Sequence, residues 1–287
     1  MIPPSNILLP ASYLAERVQR RDAAAELRRA GVRPSRRLGQ HFLVDDRVAR
    51  RQVDMAKIRG EETILEVGPG LGILTRLLAA QAKRVIAIEK DSRLASFLEG
   101  LGGRVEIVRG DALKISWPKF DAMVSNLPYQ ISSPVLFKLL DHQFDRAVLM
   151  VQREFAERLV APPRTKDYSR LTVNVAHRAE CEILETVPRS AFFPQPRVDS
   201  AIVRLARREP AYKVLDELVF RETVDACFLH RRKTIRNALD LEWLRFAKDH
   251  GRWRDSIGRL PFLDERAEVL SPQDFAALSN EIGVAKG

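Results

Sequence analysis

Short apolar runs alternate with amphipathic stretches along the middle of the chain. A short run of mainly apolar residues predicts a strand, whereas apolar residues that recur every three or four positions predict a helix. The predicted strands are 63–67, 84–89, 105–108, 121–125, 146–152, 181–187 and 200–205. The predicted helices are 73–82, 92–99, 134–140 and one that starts within 155–160. This alternation indicates an α/β fold with a mostly parallel sheet, whose last two strands suit an antiparallel edge.

The pattern changes after residue 208, where Glu209 and Pro210 interrupt the alternation. Helical periodicity dominates the remainder, including 214–229 and 232–239, and predicts a small C-terminal helical domain at 209–287. Apolar positions at helical spacing also predict a helix over 11–30. We therefore divide the chain into an N-terminal arm at 1–36, an α/β domain at 37–208 and the helical domain.

The net charge of +10, from 48 Lys and Arg against 38 Asp and Glu, is distributed unevenly. Residues 209–287 are close to neutral, with 13 basic against 14 acidic side chains, so the surplus falls on 1–208 and includes an arginine-rich arm. Such a surplus favours a polyanionic partner through phosphate contacts and counterion release. The alternative is a surplus that serves only solubility.

No apolar run approaches the roughly 20 residues needed to cross a bilayer, so we expect no membrane association. The arm lacks a basic start followed by an apolar core, and its acidic residues Glu16, Asp22 and Glu26 are untypical of a mitochondrial presequence. Cys181 and Cys227 lie far apart in sequence, which is typical of reduced thiols. We expect a cytoplasmic protein.

A glycine-rich turn, Gly68-Pro-Gly-Leu-Gly72, follows the first predicted strand and opens a helix, so the backbone there can approach a ligand closely. The dinucleotide-binding pattern needs another small residue three places after its second glycine, and neither possible frame supplies one. Glu89 and Asp111 stand at the ends of the next two predicted strands. Carboxylates in these places can accept hydrogen bonds from ribose hydroxyls and from an adenine amine.

The fourth predicted strand stops on Asn126-Leu-Pro-Tyr129. A side-chain amide, a proline-containing turn and an aromatic ring at the mouth of a strand suit a planar base that carries an exocyclic amine. Asn126 and a backbone carbonyl of the Leu127–Pro128 turn can accept from the two amine N–H groups. The ring of Tyr129 offers a face for stacking the base.

Several blocks, in this order, resemble the small-subunit ribosomal RNA adenine N6,N6-dimethyltransferase family from about Arg37 to the C-terminus. They are Leu38-Gly-Gln-His-Phe-Leu43, Glu66-Val-Gly-Pro-Gly-Leu-Gly72, Glu89, Gly110-Asp111, Asn126-Leu-Pro-Tyr129, Phe192-Phe-Pro-Gln-Pro-Arg-Val-Asp-Ser200 and His230-Arg-Arg-Lys-Thr234. The resemblance implies a Rossmann-like S-adenosylmethionine-dependent methyltransferase sheet with the small C-terminal helical domain. It further implies methyl transfer from S-adenosyl-L-methionine to N6 of two adjacent adenines in a 3'-terminal hairpin loop of small-subunit rRNA. The partner would be the immature small ribosomal subunit, bound by a monomer during ribosome biogenesis.

The resemblance also assigns roles to residues. The implied cofactor contacts are Gln40, His41, Leu43, Gly68, Gly70, Glu89, Asp111 and Asn126. The implied catalytic residues are Asn126, Leu127, Pro128, Tyr129 and Phe193, with Phe192 expected in the core. Apart from the resemblance, the local basic cluster Arg231, Arg232, Lys233 and Arg236 in a near-neutral domain predicts contacts with the RNA backbone, and a solvated helix face is the alternative. Many family members carry Asn where this chain has His41, whose ring can also donate a hydrogen bond. In these terms 37–208 is the catalytic domain and 209–287 contacts RNA or the ribosome.

Two alternatives remain open at this point. One is a large-subunit rRNA adenine methyltransferase of the antibiotic-resistance type, which shares the glycine turn and a similar Asn-containing motif. The other is a non-catalytic RNA-binding factor for ribosome assembly or transcription on the same fold. The basic segment in the helical tail favours the small-subunit enzyme, and the intact Asn126, Pro128, Tyr129 and Glu89 favour catalysis.

Overall fold

The computed structural model describes residues 22–34 and 39–286. The first part of the predicted 11–30 helix, and most of the predicted arm, lie outside the described residues. The helices are α1 (22–29), α2 (Asp46–Ala56), α3 (Ile73–Gln81), α4 (Ser92–Glu99), α5 (Ser132–Leu140), α6 (Arg153–Leu159), α7 (Arg170–Arg178), α8 (Glu217–Leu229), α9 (Ile235–Leu241), α10 (His250–Ile257) and α11 (Pro272–Lys286). The strands are β1 (Phe42–Leu43), β2 (Thr63–Val67), β3 (Arg84–Glu89), β4 (Val105–Arg109), β5 (Ala122–Asn126), β6 (Arg146–Gln152), β7 (Ala179–Val187), β8 (Phe192–Phe193) and β9 (Ser200–Arg207).

Seven of these strands form one sheet in the order β4-β3-β2-β5-β6-β9-β7, and β1 pairs with β8 in a separate two-stranded ladder. The pairs β4–β3, β3–β2, β2–β5 and β5–β6 are all parallel. The chain therefore adds strands on one side of β2 and then returns to add β5 on the other side. The crevice between the carboxyl ends of β2 and β5 is the place where ligands bind in sheets of this kind.

The sequence explains why these strands lie at the centre. Ile64 and Leu65 in β2 and Ile86 in β3 are completely buried, as near-continuous apolar strands covered by helices should be. The helices α2 and α3 pack together, and their apolar faces share one core with β2, β3, β5 and β6. Asp45 caps α2 by accepting from the backbone N–H groups of Arg47 and Val48, which fixes where that helix begins.

Every strand predicted from periodicity is confirmed to within two residues, and so is the α/β class. The two-residue strands β1 and β8 and the helices α2 and α7 were not predicted. A two-residue strand is too short to show a period, and α7 buries the polar residues Thr172, Asn174 and His177 among its apolar ones, so no polar face marks its period. None of the helices in the described ranges is both long enough and apolar enough to cross a membrane.

The chain divides into two compact units. The described residues up to Arg153 form the first unit together with Ile183–Leu205. The second unit consists of Glu154–Glu182 and the described residues from Ala206 onward. Its own core includes Tyr168, Phe220 and Phe275, and the Tyr168 hydroxyl donates to the Leu270 carbonyl at 2.8 Å. Residues 154–182, within the predicted 37–208 domain, thus group with the helical tail.

A buried ion pair joins the amino ends of β2 and β6. The side chain of Glu62, just before β2, is only 3% exposed and accepts from both terminal nitrogens of Arg146 at 2.8 and 2.7 Å. The backbone N–H of Arg59 donates to the same carboxylate at 2.7 Å. The Arg146 guanidinium is the main reason why the pKa of Glu62 falls from 4.5 to about 2.

Replacing Glu62 with Gln is expected to lower the free energy of unfolding near neutral pH by on the order of 3 kcal/mol, because Arg146 loses its buried anionic acceptor. Since the folded protein holds the pKa below its ordinary value, this contribution is present above pH 4.5 and is lost as pH falls toward 2. Denaturant unfolding of both proteins near neutral pH and at about pH 3 measures the difference, which should shrink in acid.

A matched control is Arg84→Gln, because Arg84 pairs with Glu106 and both side chains are about half exposed. Its effect should stay below about 1 kcal/mol. Equal losses in the two variants, or a Glu62→Gln deficit that is constant with pH, would contradict the buried-pair interpretation.

Candidate active site

A cavity of about 300 Å³ lies at the carboxyl ends of the first-unit strands. All but one of the cofactor and catalytic residues named from the sequence line it. These are Gln40, His41, Leu43, Gly68, Gly70, Glu89, Asp111, Asn126, Leu127, Pro128 and Tyr129. The exception is Phe193. Segments far apart in sequence therefore meet at the crevice that the strand order predicts.

The cavity exists because β2 and β5 stop pairing before their carboxyl ends. Their register runs only from Ile64 opposite Ala122 to Leu65 opposite Met123. Beyond this point the backbone N–H of Val67 donates to the Ser125 hydroxyl at 2.9 Å, and the Gln52 side chain donates to the Ser125 carbonyl at 3.1 Å. The Ser125 hydroxyl thus satisfies a buried β2 N–H that a longer β2–β5 ladder would have paired, and the Gln52 side chain adds a bond on the β6 side of β5, so the two strands can separate.

Glycines let the turn after β2 fit tightly against the rest of the site. Gly68 and Gly70 have positive φ angles of 72° and 60°. A Cβ atom on Gly68 would lie 3.1 Å from the Pro128 ring, and one on Gly70 would lie 3.0 Å from the ring of Phe42. The turn is therefore a cradle that a larger residue would fill, as close approach of a ligand to backbone requires.

Two predicted acids stand where the sequence placed them. Glu89 ends β3, is 6% exposed and accepts from the Asp91 backbone N–H at 2.8 Å. Burial raises the pKa of Glu89. Asp111 follows β4 and accepts from the Leu113 N–H and from the Lys90 ammonium, both at 3.0 Å, and these contacts lower its pKa.

Glu66 is a third acid in the cavity that we did not single out from the sequence. It is 1% exposed, and its Oε2 atom has no hydrogen-bond partner within the described part of the chain. Burial, with a smaller contribution from the charge of Glu89, raises the pKa of Glu66 to about 8. The sequence did offer a signal for Glu66, because it is an acidic residue within an otherwise apolar strand. An orphaned carboxyl oxygen suits a positively charged or N–H-bearing ligand.

The Asn126–Tyr129 turn is held firmly on both sides. The Leu127 N–H donates to the Met150 carbonyl at 3.0 Å, and the Pro128 carbonyl accepts from Ile131 N–H at 3.0 Å. The Tyr129 hydroxyl lies 2.7 Å from the Ser200 hydroxyl, while burial raises the pKa of Tyr129. The aromatic ring is therefore fixed before any ligand arrives.

His41 is one of the residues that line the cavity. Its ring stacks on Tyr129 with the centroids 5.6 Å apart, and its Nδ1 atom lies 2.7 Å from the Pro194 carbonyl. A carbonyl can only accept, so Nδ1 carries the proton of the neutral ring. The other nitrogen, Nε2, is then an acceptor and donates only from the imidazolium. This tautomer weakens the expectation that His41 simply replaces a donating Asn.

The two adjacent phenylalanines have different positions. Phe192 is completely buried in the sheet core, as expected. Phe193 pairs with Phe42 in the β1–β8 ladder and packs on a small cluster that includes Leu71 and Leu94. It is not among the residues that line the cavity, and its expected place opposite Tyr129 stays a prediction.

Lys138 in α5 also holds the site together. Its ammonium donates to the carbonyls of Ala112, at 2.9 Å, and Ile115, and it lies 5.1 Å from the centre of the Trp117 ring. The Trp117 indole donates to the same Ala112 carbonyl at 2.8 Å. These bonds tie the helix after the Asn126 turn to the loop that carries Asp111. A single lysine in an apolar helix was the signal that sequence inspection missed.

In the second unit the predicted RNA-binding residues separate into two groups. The guanidinium of Arg231 pairs with Glu268 at 3.0 Å and donates to the carbonyls of Lys166 and Thr165. It therefore binds parts of its own unit together. The other predicted contacts, Arg232, Lys233 and Arg236, are all exposed.

Comparisons with known proteins agree with this geometry. A family model described as ribosomal RNA adenine dimethylase matches residues 32–248. A probable ribosomal RNA small subunit methyltransferase A from Thermococcus kodakarensis is 46% identical over 85% of this chain and 88% of its own length. The protein of the same name from Methanopyrus kandleri is 45% identical over 90% and 95%.

Two solved structures are also similar. A dimethyladenosine transferase from Plasmodium falciparum superimposes with a TM-score of 0.73 at 33% identity, covering 85% of this chain and 98% of its own. The 23S rRNA methyltransferase ErmE gives a TM-score of 0.60, also at 33% identity, covering 84% and 99%. Both likenesses confirm the Rossmann-like methyltransferase fold with a helical C-terminal region.

The cavity fits S-adenosylmethionine on its own chemistry. The glycine cradle admits close approach, Glu89 and Asp111 supply carboxylate acceptors for hydroxyl and amine groups, and the unpaired oxygen of Glu66 suits a cationic ligand. Together with the matched family model and relatives, this establishes that the chain belongs to the ribosomal RNA adenine dimethylase family and is an S-adenosylmethionine-dependent rRNA methyltransferase.

Proposed function

We propose that the enzyme methylates N6 of two adjacent adenines in a 3'-terminal hairpin loop of small-subunit rRNA, and that it acts as a monomer on the immature small subunit in the cytoplasm. The name carried by relatives at 45–46% identity supports the small subunit as the target. The two solved structures do not separate the small- and large-subunit alternatives, because both share 33% identity with this chain.

The observation that carries the proposal is the fixed turn at Asn126–Tyr129 beside three carboxyl groups in one cavity. When bound, S-adenosylmethionine supplies a methyl group activated by a positively charged sulfur. Glu89 would accept from the ribose hydroxyls and Asp111 from the adenine amine of the cofactor. The buried Glu66 offers an acceptor to the remaining polar end of that ligand.

The target amine would be held by the turn itself. The Pro128 carbonyl already accepts from the Ile131 N–H and from the Ser132 hydroxyl, so we assign the Leu127 carbonyl as the backbone acceptor for the target amine. It can act together with the amide oxygen of Asn126 on the two N–H groups of the target. These contacts favour a pyramidal nitrogen whose lone pair is available for attack. Catalysis then rests on positioning and preorganised polar contacts, with no basic side chain required.

The substrate assignment is tested with unmethylated small and large ribosomal subunits, each incubated with the enzyme and labelled cofactor. We expect label on two adjacent adenines of the small subunit only, located by mass mapping of rRNA fragments. Label confined to the large subunit would establish the first alternative. Absence of label from both would support the non-catalytic alternative.

Replacing Asn126 with Ala is expected to reduce methyl transfer by about 100–1,000-fold, because the reacting amine loses a preorganised acceptor. The fold and the affinity for RNA should be retained. Single-turnover rates at saturating cofactor and filter binding of RNA measure the two effects. Glu99→Ala is a suitable control, since Glu99 lies about half exposed in a surface ion pair with Arg109. Turnover near the wild-type rate would exclude the assigned role of Asn126.

Reversing the charge of the surface cluster Arg232, Lys233 and Arg236 to Glu is expected to weaken small-subunit binding and flatten its salt dependence. Each phosphate group that the variant no longer binds should change the log–log slope by roughly 0.7–0.9. The measurement is binding affinity as a function of salt concentration.

A charge-matched control reverses Arg252, Arg254 and Arg259, which are exposed in the same unit. The proposed interface requires a smaller slope change in this control than in the cluster variant. Arg231→Gln should instead reduce stability with little change in slope, because its guanidinium is bound within its own unit. An identical slope in the wild type and all three variants would show that the cluster is only a solvated surface.

A further inference from the structure

The helix α1 precedes the region that the family model matches, yet its apolar face is buried. Ala23 and Leu27 are 5% and 2% exposed, and Val32, just after the helix, is 4% exposed. Arg28 and Arg29 are exposed. The segment is therefore amphipathic, and its apolar face is covered by the first unit.

The residues that cover this face are walls of the cofactor cavity. Ala23, Leu27 and Val32 share one buried cluster with Phe42, Val44, Leu71 and Leu94. Of these, Phe42, Leu71 and Leu94 line the cavity, and they come from β1, the glycine turn and α4. The α1 segment thus forms a second layer behind three separate parts of the wall.

Local hydrogen bonds fix the end of this segment. The backbone N–H of Val32 donates to the Leu27 carbonyl at 2.9 Å, which folds Val32 back onto the helix, and Gly31 permits the turn with a φ of 65°. The Gly31 carbonyl in turn accepts from the Arg93 guanidinium of α4 at 3.3 Å. The helix and its terminal turn therefore present Leu27 and Val32 to the cluster together.

We propose that Leu27 and Val32 are positioning residues for the cofactor, so that the segment at the start of the family region helps to set cofactor affinity. The link runs through Phe42, whose ring lies against Gly70 so closely that a single added carbon there would be 3.0 Å from it. Packed interiors transmit such displacements, because a side chain without backing moves into the space left behind it. Loss of the second layer loosens Phe42, Leu71 and Leu94 while every polar group that contacts the cofactor remains present.

The test uses the full chain with Leu27→Ala and Leu27→Asp, and measures S-adenosylmethionine affinity by calorimetry. We expect the dissociation constant to rise severalfold for Ala and by about tenfold or more for Asp, since burying an unpaired charge forces the segment away from the cluster. The KM for the cofactor should rise in parallel. The kcat at saturating cofactor and RNA should stay within about twofold of the wild type, because the Asn126 turn is unaltered.

Two control variants separate this effect from general destabilisation. Arg28→Ala changes an exposed residue of the same helix and should leave cofactor affinity unchanged. Leu239→Ala removes a completely buried leucine from the core of the second unit, so it should lower the melting temperature without altering cofactor affinity. The proposal is overturned if Leu27→Asp binds the cofactor as the wild type does. It is equally overturned if Leu239→Ala weakens cofactor binding as much as Leu27→Ala at the same loss of melting temperature.

Discussion

The site depends on the separation of β2 and β5, two parallel strands that pair for only part of their length. Backbone groups that leave a ladder inside a protein must find other partners, and here the Ser125 hydroxyl provides one for β2. The Val67 N–H is satisfied by a side chain, so the strands can diverge there without leaving this donor unpaired. The glycine turn and the Asn126 turn follow directly from the two separated ends.

The three acidic residues that line the cavity differ in their pKa values. Glu66 and Glu89 are buried, and desolvation raises both pKa values, whereas Asp111 has N–H and ammonium donors that lower its pKa. At neutral pH the Glu66 carboxyl is therefore mainly protonated, and a bound positive charge beside it would favour ionisation. The arrangement is suited to a cofactor with a cationic end and hydroxyl groups rather than to a pyrophosphate, whose negative charge these carboxyl groups would not stabilise.

Similar residue types perform different tasks in this protein. Arg146 and Arg231 are arginines whose donors are used to hold the fold, one in each unit. The nearby Lys233 and Arg236 are exposed and can meet a polyanion at the surface. Lys138 has its charge turned inward, onto the backbone carbonyl of the residue that follows Asp111. Position relative to backbone acceptors, rather than residue type, decides which cation supports structure.

The sequence alone determined the strands, the α/β class, the glycine turn and the acids at strand ends, because these follow from local periodicity and from residues adjacent in the chain. It also indicated the Asn126–Tyr129 turn. Tertiary structure decided what local patterns do not encode. It paired Phe193 with Phe42, gave the proton of neutral His41 to Nδ1 through Pro194, and used Arg231 within its own unit. Each outcome depends on a partner distant in sequence, and only folding brings such partners within hydrogen-bonding or packing distance.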